Sequence, residues 1–439
     1  MNIKKIIFIF TLLLLTQNSF AADIQELNID FFNRFNDENL SCYIQDALSN
    51  NHDLKKAGHV VEQYRQQAKY SLGRELPSLS VSANYLGIKV PELDTFQLKD
   101  NAFILPFAAS YEADFLLKNR DKTRAAKKNY EAAKYRENAI YLALLSDVAT
   151  VYINILQYDD LIKKQTETLK IEQEILSRKN KMLLRGTISS TELNNSQKAV
   201  KEAQSLIDTL NKERETLIMQ LAVLTGNSSS NISEMSFGKL EEIEYSGTIP
   251  DEISSEVIFS RPDVKAVQAD LEKAKIDVRV ARKEFFPRFN IIGVWVFNTL
   301  APGTSFSWES SLAAILAGAT QDIFKGGMKV ANLKMQKAKY EELFENYNQT
   351  NLNAVKEVNT VLCIIKHDKQ IEDNTKSELF YEEQNFNSAN KKLVQGIISK
   401  PQYLSDEKRL ISSHNAYTKA KTQRLINYFT LYKAVGGQL

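Results

Sequence analysis

Two very long stretches of the chain carry apolar residues at alternating steps of three and four. Residues 121–185 and 328–395 contain no Gly or Pro, so no residue in either run favours breaking a helix. In the first run, apolar side chains stand at 140, 144, 148, 151, 155, 158 and 162. This spacing is the seam of a coiled coil, and a helix of that length is a rod of roughly 100 Å. The helices alone leave a soluble helical bundle open.

A second pattern, strict alternation of apolar and polar residues, marks two pairs of short segments. In 78–85, apolar side chains at odd positions alternate with Ser and Asn, and a second apolar row follows at 103–115. The later rows are 289–297 and 306–316, where 306, 308, 312, 314 and 316 form the apolar side. Such segments, with aromatic residues towards their ends, are typical of outer-membrane barrel strands. The opposite side, with Asn84, Glu112 and Glu309, suits a water-filled lumen.

The chain is a tandem duplication, because matching residues recur at one offset of 210. The matched pairs are Asp53 and Asp263, Pro77 and Pro287, Gly186 and Gly396, Ser189 and Ser399, and Gly226 and Gly436. We predict a first repeat over 22–226, a linker over 227–255 and a second repeat over 256–439. Each repeat reads as a helix, two strands and a long helical hairpin, with hairpin tips near 186–190 and 396–400.

The first 21 residues read as a secretory signal peptide. Lys4 and Lys5 precede an apolar run over 6–15, and small residues lead to Ala21. The run is too short for a membrane anchor, which needs ~20 apolar residues. The apolar stretches 291–297 and 312–319 are also too short to span as helices. We therefore expect contact with the lipid bilayer to be made by strands.

Charge and composition exclude several classes of protein. The 56 Lys and Arg nearly balance the 54 Asp and Glu, so no basic surface argues for nucleic acid. The sequence contains no nucleophile, phosphate-loop or metalloprotease motif, so we expect no catalysis and no cofactor. The four His, including His414, have no ligand-spaced partner, and we predict no metal site. Whether Cys42 and Cys363 pair stays open.

Four strands per chain cannot close a barrel by themselves. A spanning barrel needs at least about eight strands and leaves no open edge in lipid. Two or three copies of the chain must therefore share one barrel. A soluble half-buried sheet fits each strand singly, but four strands at duplicated positions behind a signal peptide favour the barrel.

Two segments of the second repeat carry a family resemblance. Residues 249–264, with Arg261, Pro262 and Asp263, and residues 280–290, with Phe286 and Pro287, resemble outer membrane efflux proteins of the TolC family. The resemblance is to the branch that serves tripartite drug pumps. It implies a mostly α fold with some β, and a homotrimer with a twelve-stranded outer-membrane barrel continued by a periplasmic α-helical barrel. It also implies an inner-membrane transporter and a periplasmic adaptor protein as partners.

The resemblance places both hairpin tips at the periplasmic mouth, as sites for adaptor docking. The tip residues are Arg185, Gly186, Thr187, Ile188 and Ser189, then Gly396, Ile397, Ile398 and Ser399. A purely structural turn is the alternative, since Gly and Ser cap helices well. The family usually carries an acid three residues after the Ser. Glu192 fits this pattern, whereas Gln402 departs from it.

We expect Arg261, Pro262 and Asp263 to be structural, because Pro in the first turn beside an acid favours a helix start. Pro77 and Pro287 are expected to mark strand borders. The predicted function is a passive export duct for drugs or other small molecules. A duct for type I protein secretion, or an exported coiled-coil scaffold or adhesin, remains an alternative.

Overall fold

The computed structural model describes residues 30–89, 99–227, 235–298 and 311–439. The predicted signal peptide lies outside these residues, as do part of the predicted linker and the start of the last predicted strand. The described chain is mostly helical, with one small sheet. This confirms the predicted fold class.

The elements follow the predicted order. The helices are α1 (Asp30–Asn33), α2 (Glu38–Asn50), α3 (His52–Gly73), α4 (Lys118–Leu184), α5 (Ser190–Leu224), α6 (Ser255–Phe259), α7 (Pro262–Lys283), α8 (Met328–Val394) and α9 (Lys400–Ala434). A short 3₁₀ turn spans Leu240–Glu242. The strands are β1 (Ser78–Val81), β2 (Asn84–Lys89), β3 (Lys99–Ala113), β4 (Arg288–Asn298) and β5 (Ser311–Thr320).

The duplication is visible in the lengths of the helices. Helices α3 and α7 have 22 residues each, α4 and α8 have 67 each, and α5 and α9 have 35 each. Each second-repeat helix starts 210 positions after its counterpart, the same offset as in the sequence. The tandem repeat is therefore structural as well as textual.

All strand pairs in the sheet are antiparallel. Strands β1 and β2 both pair with β3, which pairs with β4, and β4 pairs with β5. The first predicted strand is thus two pieces, separated by residues 82 and 83, and the four predicted strand positions hold five strands. One edge of the sheet is formed by β1 and β2 and the other by β5.

One face of the sheet is rich in aromatic side chains. Phe107 stands opposite Val81 and Trp295, and Trp295 stands opposite Ala313. Directly opposed residues of an antiparallel pair lie on the same face. The predicted row of Phe289, Ile291, Trp295 and Phe297 therefore lies on this face as a unit.

The prediction for the last strand was wrong about the face. Leu316 stands opposite Ile292, and Ile292 stands opposite Ser110. The row of Leu312, Ala314 and Leu316 thus shares a face with Ser110 rather than with the aromatic residues. Both faces of β5 carry apolar side chains, so alternation showed the strand's period but did not identify its membrane side.

The main core lies around the middle of α4. Phe31, Phe32 and Phe35, at and just after α1, are fully buried and pack on Phe429 and Tyr432 of α9. The rings of Phe31 and Tyr432 stack with centroids 4.7 Å apart. In the described part of the chain, α4 alone has the length and hydropathy of a membrane span, over an 18-residue window with mean hydropathy 1.7. Within the protein 61% of that window is buried, so core packing accounts for its apolar character.

The segment between the repeats packs on this core. The Tyr152 hydroxyl donates to Asp37 Oδ2 at 2.8 Å and accepts from Gly238 N at 3.1 Å. The Tyr43 hydroxyl donates to the carbonyl of Ser236 at 2.8 Å. Burial raises the pKa of Tyr43 to about 12, so its hydroxyl stays protonated and keeps donating this bond.

Candidate functional site

The first hairpin tip is a tight turn closed by glycine. Helix α4 ends at Leu184, and Gly186 follows with a φ of +72°. Gly186 N bonds the Leu183 carbonyl at 2.8 Å, and Thr187 N bonds the Met182 carbonyl at 3.0 Å. This is the Schellman pattern, in which glycine takes the left-handed position without strain.

The second tip repeats this geometry. Gly396 has a φ of +70°, and its N bonds the Leu393 carbonyl at 3.0 Å. Ile397 N bonds the Lys392 carbonyl at 2.8 Å. The two glycines that the duplication aligned therefore have the same conformation, and both tips have a fixed shape.

Serine caps the returning helix at each tip. Ser189 Oγ accepts from Glu192 N at 3.3 Å, and Ser399 Oγ accepts from Gln402 N at 3.4 Å. The Thr187 hydroxyl donates to the Met182 carbonyl at 2.9 Å, which holds it against the helix end. The carboxylate of Glu192 lies in the first turn of α5, where the helix dipole favours a negative charge.

The most exposed apolar side chains of the tips are ones that sequence reasoning missed. Leu184 is 88% exposed and Val394 is 84% exposed, and the two occupy equivalent positions of the repeats. Ile397 is also exposed, whereas Ile188 and Ile398 are half-buried. Arg185, Gly186, Thr187, Ser189, Gly396 and Ser399 are all exposed. Each tip thus presents aliphatic surface, and an apolar residue directly before the Arg-Gly or Gln-Gly turn was the available signal.

Both tips lie at the same end of the molecule. Ile171 of α4 packs with Leu404 and Ile411 of α9 in one buried cluster. An ion pair joins Lys408 to Glu172 nearby. The exposed turns at 185–189 and 396–399 extend just beyond this contact, so a single partner surface can reach both.

Arg261 fastens the start of the second repeat to its last helix. Its guanidinium donates to both carboxylate oxygens of Asp263, at 3.0 and 2.8 Å, and to Glu357 Oε2 at 2.7 Å. It also donates to the Ala434 carbonyl at 3.0 Å. Burial works against the charge, but the bonds to Asp263 and Glu357 hold the pKa of Arg261 above its usual value. Pro262 begins α7 beside this clamp.

The first repeat uses a neutral residue at the same place. Asn51, the counterpart of Arg261, donates to the Leu224 carbonyl at 2.9 Å and accepts from Leu54 N at 2.9 Å. Leu224 and Ala434 are themselves equivalent, so one contact is made by two chemistries. Pro77 and Pro287 are exposed and directly precede β1 and β4.

A buried carboxylate joins the end of α7 to the start of α4. The Asp121 side chain is 1% exposed and accepts from Lys283 Nζ at 2.6 Å, from Arg124 at 3.1 Å and from Arg279 at 3.3 Å. Burial raises the pKa of Asp121, but the bonds from Lys283 and Arg124 outweigh it and hold the pKa below its usual value. Sequence reasoning missed this cluster, because its partners lie far apart in the chain.

The sequence left two questions about Cys and His. Cys42 on α2 and Cys363 on α8 are both free and exposed. His414 on α9, predicted to stand alone, lies beside Asp160 of α4, with Nδ1 3.5 Å from Oδ2. The expectation that His414 has no partner was therefore wrong, because packing of α9 on α4 brings the two together.

Known proteins resemble this chain over nearly its whole length. The outer membrane efflux protein family matches residues 43–227 and 253–437. The cation efflux system protein CusC of Escherichia coli K12 is 25% identical over 435 residues, 96% of this chain and 92% of CusC. The pyoverdine export outer membrane protein OpmQ of Pseudomonas aeruginosa is 25% identical over 431 residues, 95% of this chain and 88% of OpmQ.

The fold is that of a solved outer membrane channel. The Campylobacter jejuni CmeC channel superposes with a TM-score of 0.83 at 24% identity, covering 92% of this chain and 86% of CmeC. The family is one of passive channels that lie in the outer membrane and extend into the periplasm. The chain belongs to the outer membrane efflux protein family and is an efflux channel rather than an enzyme.

Proposed function

We propose that three copies of this chain form one duct across the outer membrane, joined through a periplasmic adaptor to an inner-membrane transporter. The observation that carries the proposal is the open sheet. Its strands stop at two edges, β1 with β2 on one side and β5 on the other. Neither edge has a partner strand within the described part of the chain.

An open edge cannot lie in lipid, because its backbone N–H and C=O groups would lose their hydrogen bonds. Pairing β5 of one copy with β1 and β2 of the next satisfies both edges at once. Repeating this step closes a ring in which every copy has the same contacts. Four strand positions per copy give twelve in a ring of three, and the TolC-family resemblance supports three copies rather than two.

The helices support the same assembly. Large apolar side chains of α8 are exposed in the single chain, among them Met335, Leu352 and Phe380. A patch of this kind along a rod marks a surface that another protein covers. We assign its cover to α-helices of the neighbouring copies, which continue the barrel as a helical tube.

The tips are the proposed contact with the adaptor. Leu184 and Val394 are exposed at equivalent places on two turns of fixed shape, with Ile397 beside Val394. Aliphatic side chains on rigid turns bind a partner at low cost in conformational entropy. The sequence-predicted residues Gly186, Ser189, Gly396 and Ser399 shape these turns, and Leu184, Val394 and Ile397 make the contact.

The proposed cargo is a small molecule or ion. The names of the similar proteins cover cation efflux and pyoverdine export. A passive duct takes whatever its transporter delivers, so these differences fit one tube served by different pumps.

Electrical recording of the purified full chain in planar bilayers tests the duct. We expect discrete conductance steps from the folded oligomer. Folded oligomer that inserts without conducting would contradict the proposal.

A growth assay tests the docking part separately. A strain that lacks the chain should become sensitive to exported compounds, and the wild type should restore resistance. The double variant Leu184→Asp with Val394→Asp should conduct in bilayers yet fail to restore resistance. Gln395→Asp adds a charge to the same turn without removing an apolar contact and is the control. Full resistance from the double variant, at equal protein level, would contradict docking at the tips.

A further inference from the structure

Three metal-binding side chain types meet beside the middle of α4, although they are far apart in the sequence. Asp160 comes from α4, Glu241 from the 3₁₀ turn between the repeats, and His414 from α9. One donor atom from each lies within 4.8 Å of the other two. We propose that these three residues bind a divalent transition-metal ion of the Zn²⁺ type, which fastens the inter-repeat segment to both helical hairpins.

Two of the donors are already held in place. The Thr418 hydroxyl donates to Asp160 Oδ2 at 2.5 Å, and Thr418 itself is only 3% exposed. Thr418 stands one helical turn after His414, so its hydroxyl also lies 3.4 Å from His414 Nδ1. A hydrogen bond to a ligating carboxylate fixes its orientation, as the outer partners of metal ligands do in known sites.

The third donor is available. The Glu241 carboxylate is exposed and makes no hydrogen bond or ion pair within the described residues, while its backbone carbonyl accepts from Lys421 Nζ at 3.2 Å. The turn is therefore anchored and its side chain is not. A cleft of about 120 Å³, lined in part by Asp160, Lys163 and Glu241, adjoins the three donors. It has room for an ion together with a water ligand.

The donor set selects the class of ion. One imidazole and two carboxylates suit Zn²⁺ and similar ions, which leave a fourth position for water. Mg²⁺ and Ca²⁺ prefer oxygen ligands throughout. Two carboxylates also neutralise a dication. Donors around a four-coordinate Zn²⁺ stand ~3.3 Å apart, so the exposed Glu241 side chain has to move inward by about 1 Å or more.

Calorimetric titration of Zn²⁺ into the untagged full chain tests the site. We expect one saturable site per chain. His414→Ala and Asp160→Asn should each weaken binding at least tenfold, and Thr418→Val should weaken it less. His367→Ala is the matched control, because His367 is an exposed His of α8. Zn²⁺ should also raise the thermal midpoint of the wild type and of His367→Ala, but not that of His414→Ala.

Two outcomes would overturn the proposal. One is the absence of saturable binding in the wild type. The other is unchanged Zn²⁺ affinity and stoichiometry in both His414→Ala and Asp160→Asn, which would leave these side chains as a plain hydrogen-bonded cluster. Asp160→Asn preserves the shape of the side chain and carries the test if His414→Ala fails to fold. Because the readout is metal binding, it stands apart from any result on conductance or efflux.

Discussion

Helices α4 and α8 hold the same place in the two repeats and have the same length of 67 residues, yet they are buried to very different degrees. Twenty-two residues of α4 are buried, against six of α8. Leu142 of α4 is 3% exposed, whereas its counterpart Leu352 of α8 is 67% exposed. The pairs Leu161 with Ile371 and Ile171 with Tyr381 differ in the same way.

The neighbours of the two helices explain the difference. Helix α4 packs against α3, α5, α7 and α9, so it lies inside the molecule. Helix α8 packs mainly against α7 and α9 and has an open side. Its apolar residues match positions that are buried in α4, so a cover is missing from the single chain. The asymmetry between the repeats therefore indicates a part of a larger ring.

The largest expected effect separates the two helices at one repeat position. Leu142→Ala should destabilise the chain by about 3 kcal/mol, because it opens a cavity in a filled core. Leu352→Ala should leave the fold of a single chain unchanged and instead weaken the oligomer. Thermal unfolding in detergent and the fraction of intact oligomer measure the two effects. Equal loss of fold in both variants would contradict the comparison.

The next effect compares the charged clamp with its neutral counterpart. Arg261→Ala removes several charged hydrogen bonds at the Ala434 carbonyl and should cost about 2 kcal/mol. Asn51→Ala, at the equivalent contact, should cost about 1 kcal/mol. Thermal midpoints of the two variants measure the difference. A larger loss from Asn51→Ala would show that the clamp is not the stronger contact.

The junctions between sheet and helices differ in their response to acid. The folded pKa of Asp121 is lowered, so its stabilising effect is complete above the ordinary pKa of about 4 and is lost as the pH falls through the lower folded value. Asp121→Asn should therefore lower the thermal midpoint at pH 7 and differ less from wild type in strong acid. Asp322→Asn, at the more exposed ion pairs with Lys325 and Lys329, is the control and should change little. A constant difference for Asp121→Asn at every pH would exclude this origin.

The smallest effect on stability is expected at the tips. Gly186→Val and Gly396→Val each force a branched residue into a left-handed conformation, at a cost of about 1 kcal/mol. Space is not the problem, since an added Cβ would meet nothing within 4 Å at either glycine. We expect nearly normal melting but reduced efflux, measured as drug resistance. Unchanged resistance in both variants, at equal protein level, would show that the tips tolerate a different shape.

Features that depend on local pattern could be predicted from the sequence. The long helices follow from the absence of Gly and Pro and from the 3-4 spacing, and the glycine turns follow from the duplication. The strand pattern at 289–297 predicted one face correctly, since its apolar residues stand at alternate positions.

Features that depend on distant contacts could not be predicted. The cluster around Asp121 joins residues 162 positions apart in the pair with Lys283. The membrane side of β5 was misassigned, because both of its faces are apolar. The exposure of Leu184 and Val394 was missed, because a seam residue and a tip residue look alike until the helix end is located.

The mass of the intact full-chain complex, measured by native mass spectrometry in detergent, tests the central claim most directly. The open sheet edges and the uncovered side of α8 predict a complex of three chains. A sample that conducts in bilayers and has the mass of three chains would support the shared duct. A conducting sample with the mass of a single chain would contradict it, because one open sheet of this size cannot close a barrel.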